Sequence, residues 1–68
     1  MSNVMIANKL PQAVEVSLQS PGGGVEGVKL EPYEAIPNDR RPEHVAESSV
    51  TGYTRGLAER GYIRIRKG

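Results

Sequence analysis

The chain has 68 residues, with nine Lys or Arg against eight Asp or Glu, one His, three Tyr, and no Cys, Trp or Phe. A lone domain of this size buries only about 60% of its unfolded surface, and with no cysteine it has no disulfide framework, thiolate ligand or thiol nucleophile to support it. The core must be small and built from Val, Leu and Ile, no hydrophobic run approaches the roughly 20 residues of a membrane span, and the first residues lack the basic and long apolar regions of a secretory signal.

Residues 1–11 open with Asn3-Val4-Met5-Ile6-Ala7, an apolar run without alternation that is too short for a helix of its own. It reads either as an edge strand of the domain or as an arm that orders on a neighbour, with Val4, Met5 and Ile6 as its contact residues. Pro11 then breaks the chain and pushes Leu10 towards extended geometry. Residues 1–9 are expected to be mobile in the free protein, as is the segment 20–24.

Residues 12–31 read as an antiparallel hairpin. Val14-Glu15-Val16-Ser17-Leu18 alternates strictly, and Val28-Lys29-Leu30 does so again after a Pro-Gly-Gly-Gly connection. Val25 and Val28 are out of phase for a two-residue period, so a bulge at Gly27 is expected to restore it. The triple glycine is a turn and not a phosphate loop, which needs a Lys-Ser/Thr pair and a following helix.

Residues 32–48 hold three prolines and no sustained period, a long loop for so small a domain. Tyr33 and Ile36 are expected to pin it to the hairpin, and Arg40 and Arg41 are candidates for contact with a partner. His44 stands between Glu43 and Glu47, but a short stretch with no further His or Cys makes a poor zinc site. No serine has a His and an acid placed to activate it, so no catalytic, metal or cofactor site is expected and the chain is not expected to be an enzyme.

Residues 49–66 carry the most complete local signal. Val50, Tyr53, Leu57 and Ala58 fall at helical spacing, giving an expected helix of about three turns with Ser48, Ser49 or Thr51 as N-cap and Gly61 as its stop. Tyr62-Ile63-Arg64-Ile65-Arg66 then alternates apolar with basic, as a half-buried strand does. Gly52 and Gly56 weaken the helix, which suggests close approach of another backbone to their face. The expected fold is α+β: a small single domain of hairpin, helix and C-terminal strand, with an extended N-terminal arm and a Pro-rich loop. Its expected core is Val14, Val16, Leu18, Val28, Leu30, Val50, Leu57, Ile63 and Ile65.

Charge is unevenly placed. The last fourteen residues hold Arg55, Arg60, Arg64, Arg66 and Lys67 against Glu59 alone, so the chain has a basic end and an acidic body. Arg55, Arg60, Arg64 and Arg66 could bind nucleic acid, with Arg64 and Arg66 sharing one strand face. A pI near 8.1 and the lack of an aromatic platform beyond Tyr62 speak against that, and a bare basic row pairs as readily with an acidic protein surface.

Two segments carry a resemblance. Ile6-Ala7-Asn8-Lys9-Leu10-Pro11 followed by a Val-rich hairpin ending Val28-Lys29-Leu30, and Tyr53-x-Arg55-x-Leu57-Ala58-x-x-Gly61 near the end, resemble short structural and morphogenesis proteins of tailed bacteriophages and prophages. The proline-rich middle and the lack of Trp or Phe near the helix depart from that pattern. The resemblance implies a virion component, docked in many copies on the capsid shell or the head-to-tail neck, with capsid, neck or tail proteins as partners and no membrane or cofactor. It also implies residence in the virion after synthesis in the host cytoplasm.

Overall fold

A computed structural model describes residues 2–20 and 22–67; Met1, at the head of the expected arm, and Pro21, in the hairpin tip, lie outside the described residues. Among the described residues, six strands and one α-helix form an α+β fold. The strands are β1 (Asn3–Asn8), β2 (Val14–Gln19), β3 (Val25–Leu30), β4 (Ala35–Ile36), β5 (Val45–Ala46) and β6 (Ile63–Lys67). A short 3-10 turn at Glu47–Ser49 precedes helix α1 (Gly52–Glu59).

β1 is the centre of the first sheet. It pairs antiparallel with β6 along one side, and with β4 and β5 end to end along the other. Val4, Ile6 and Asn8 point to the core, at 3%, 0% and 2% exposure, so this segment is neither an arm nor an edge strand. Residues 3–8, within the segment 1–9 expected to be mobile, have backbone partners on both sides as an interior strand does. The run lacks visible alternation because its outward residues, Met5 and Ala7, are as apolar as its inward ones.

β2 and β3 form a separate two-stranded sheet in unbroken register from Val14↔Leu30 to Gln19↔Val25. The expected bulge at Gly27 is absent. Gly27 faces Ser17 in the regular ladder, and Val25, two residues nearer the tip, is exposed on the solvent side. The tip closes with Ser20 N donating to Gly24 O at 2.7 Å, and Gly23 takes the positive φ (95°) that such a turn reserves for glycine.

Helix α1 is eight residues long, about two turns, shorter than expected. Thr51 is the N-cap, its Oγ1 accepting from Thr54 N. At the other end Gly61 (φ 82°) sends its N–H to Ala58 O, and Tyr62 N donates to Leu57 O, the paired bonds of a Schellman stop. Leu57 is buried as expected, but the inward stripe runs through Thr54 rather than Tyr53, which is 61% exposed. Val50 is buried ahead of the helix, in an isolated bridge to Leu18.

The core comprises Val4, Ile6, Val16, Leu30, Ile36, Val45, Val50, Leu57 and Ile63, with Val14, Leu18, Val28, Ala58 and Ile65 at its margin. Of the expected core residues, Val16, Leu30, Val50, Leu57 and Ile63 belong to it and Val14, Leu18, Val28 and Ile65 lie at its margin; Val4, Ile6, Ile36 and Val45 are additions from segments read as arm and loop. Ile36 pairs with Ile6 in the first sheet instead of pinning its loop to the hairpin. Two polar hubs hold the hairpin to the rest. The Asn8 amide donates to Gln12 O (2.8 Å) and Glu31 O (3.0 Å) and its Oδ1 accepts from Leu10 N (2.9 Å). The second is the pair Thr51 and Thr54 against Ser17.

Candidate functional site

Alternation along β6 sends its two residue sets to opposite sides of the first sheet. Ile63 and Ile65 face inward beside Asn8 and Ile6, while Arg64 and Arg66 face outward beside Ala7 and Met5. The outer surface therefore has a spine of Asn3, Met5 and Ala7, two alanines on one flank (Ala35 and Ala46) and two arginines on the other. Met5 is 40% exposed there, and both guanidinium groups lie in solvent.

On the inner side, helix α1 does not cover β6 completely. An open groove of about 550 Å³ runs between them, floored by Val4, Ala58, Ile63 and Ile65. Lys9, Arg55 and Lys67 bring positive charge to its lining and Glu47 and Glu59 negative charge, while Arg64 and Arg66 border it from the β6 strand with their side chains directed to the outer face. The hydrogen-bond phase of the sheet determines what β6 presents to this groove. Lys9 N donates to Tyr62 O at 3.0 Å, so Tyr62, Arg64 and Arg66 bond to β1, and the alternate residues Ile63, Ile65 and Lys67 turn their N–H and C=O away from it. Among the described residues these outward groups have no backbone partner.

The residues expected to bind a partner divide into five groups. Val4 and Ile6 are core and available to nothing outside. Met5, Arg64 and Arg66 share the outer face, and Arg55 stands on the groove wall. Arg60 is exposed at the C-cap of α1 and does not line the groove. Tyr33, Arg40 and Arg41 adjoin β4, across β1 from β6, and form no common surface with the arginine row.

That loop is ordered by its own side chains. Asn38 Oδ1 accepts from Arg40 N (2.8 Å) and Arg41 N (2.9 Å), and its amide donates to Glu34 Oε2 at 2.9 Å. Tyr33 is exposed in a turn led by Pro32, with a positive φ (60°) unusual for a side chain of its size. The Glu31 amide, then the Asn38 side chain, and after a small opposing contribution from burial the charges of Arg41 and Arg40, hold the Glu34 carboxyl below its ordinary range. Among the described residues no three His, Asp or Glu side chains are grouped to hold a metal ion, and no helix is long and apolar enough to cross a membrane.

Sequence reasoning found the arginine row but missed the groove. Lys9 carried no signal of its own, because it reaches β6 only through the β1 ladder, and the apolar floor joins α1 and β6 near the end of the chain to Val4 near its start. The chain matches no protein-family model, no curated protein and no solved structure.

Proposed function

We propose that this protein is a small docking module without catalytic activity, carried in many copies on a larger assembly. By its resemblance, that assembly is the head or neck of a tailed-phage particle. The observation that carries the reading is the outer face of the β1 sheet, where Met5, flat alanine flanks and the Arg64–Arg66 row stand side by side. A half-exposed methionine framed by small residues lets another surface approach closely, and the arginines set register and rate of encounter through charge at the rim. A single-stranded nucleic acid is the competing partner for the same arginines, with the exposed ring of Tyr62, in phase with Arg64 and Arg66, as the aromatic beside them.

The test is incorporation into particles. The wild-type chain is expected to co-purify with heads or necks in stoichiometric copies, and a Met5→Ser, Arg64→Gln, Arg66→Gln variant to fold but be lost from them. A folded variant that incorporates normally overturns the proposal. So does steep, salt-sensitive binding of single-stranded DNA that disappears with the two arginines.

A further inference from the structure

The fold treats its strand edges unequally. The outer edge of β2 is closed at Ser17 by Thr51 and Thr54 and at Leu18 by the bridge to Val50. The outer edge of β6 has no such cover, and the groove beside it is floored with aliphatic side chains. An exposed strand edge is a template for another strand, and one bordered by a helix also offers pockets for alternate side chains. On the reading of the protein as a docking module, the geometry points to strand addition: β6 accepts an extended acidic segment of a partner protein, laid between β6 and α1 as a further strand of the first sheet.

Charge selects the occupant. A second copy pairing through its own β6 would set arginines against arginines on the outer face in either antiparallel register, since positions 64 and 66 share that face in both copies; like charges opposite one another disfavour that pairing. A partner strand with Glu or Asp on the outer face would meet Arg64 and Arg66. On the inner face its alternate residues would lie over Ala58 and Ile65, aliphatic side chains that an apolar residue covers best. The segment recognised therefore alternates acidic with aliphatic residues, acidic side outward. The edge of β3 has Gly27 facing Ser17 and a mixed Glu26 and Lys29 pattern, and the helix packs on β2 and β6 rather than on β3, so this edge offers neither pockets nor a uniform charge.

The probe is a synthetic octapeptide of alternating valine and glutamate, titrated into the isotopically labelled chain while backbone amide shifts and exchange are recorded. Binding is expected to slow exchange at Ile63, Ile65 and Lys67. It should weaken roughly fivefold on Arg64→Gln, Arg66→Gln, as expected for two cross-strand charge pairs, and vanish for the same peptide N-methylated at every second residue in one phase or the other, since one phase blocks antiparallel and the other parallel pairing with the edge. Equal binding of both N-methylated peptides, or protection at Val25, Gly27 and Lys29 instead, overturns strand addition at β6. Absence of binding, with self-association of an Arg64→Thr, Arg66→Thr variant, also overturns it: the arginines would then only keep the edge unpaired. Particle incorporation that depends on Met5, Arg64 and Arg66 without any peptide binding would leave the docking module in place and remove only strand pairing.

Discussion

The Thr54 hydroxyl occupies the place of a neighbouring strand for Ser17. It accepts from Ser17 N at 2.9 Å and donates to Ser17 O at 2.6 Å, and Thr51 Oγ1 donates to the same carbonyl at 3.1 Å. The first turn of α1 thereby satisfies one residue of an otherwise open edge, and joins the hairpin to the rest of the molecule through a fully buried hydroxyl.

Thr54→Val keeps the shape of the side chain and removes both bonds, leaving the Ser17 amide unpaired and its carbonyl with Thr51 alone. A loss of roughly 1–3 kcal/mol is expected in denaturant unfolding, with Thr54→Ser much closer to wild type. Equal stability of Thr54→Val and wild type would show that Ser17 finds another partner.

Ile6 sits at 0% exposure in the central strand. Ile6→Ala is expected to cost about 2–5 kcal/mol, a large part of the stability available to so small a domain, whereas Met5→Ala should cost far less. Leu57→Ala belongs with Ile6→Ala. The amide of Ile6 should exchange as slowly as that of Leu57; rapid exchange at Ile6 would restore the mobile arm. Deleting residues 1–7 is accordingly expected to unfold the chain.

Gly56 lies inside α1 with open space where a Cβ would be placed, and the same holds for Gly52. The expected close approach of another backbone to these glycines is not found within the chain. Gly56→Ala should therefore stabilise the protein by up to about 1 kcal/mol through helix propensity alone. A lower melting temperature for Gly56→Ala would contradict that.

Glu34 is depressed in the folded state, so it releases its proton more readily there than in the unfolded chain. Its contribution is present above the ordinary carboxylate value of 4.5 and is lost as pH falls through the lower folded value. The stability difference between wild type and Glu34→Gln should thus be constant near neutrality and shrink under acid. A difference that persists unchanged to strongly acid pH would rule out the ionised carboxylate as its source.

Local order in this protein was legible in the sequence wherever the signal was local. Strict alternation marks Val14–Leu18 as a strand, Gly61 marks the end of the helix, and the Ile-Arg alternation of β6 places Arg64 and Arg66 on one face. These follow from nearest-neighbour geometry, in which period and positive φ are properties of a few consecutive residues. What only the tertiary structure decided is where those pieces meet. Val4 and Ile6 became core because β1 found partners on both sides, from residues 35, 46 and 67, separations no local pattern encodes. The helix turned Thr54 inward in place of the larger Tyr53 because Ser17 offered a buried edge that needed a hydroxyl, a demand made by a strand 37 residues away. The groove along β6 exists for the same reason. Its floor and its charge come from β1, α1 and β6 together, and the edge it borders is open because the long-range pairing of β1 left that side of β6 without a strand.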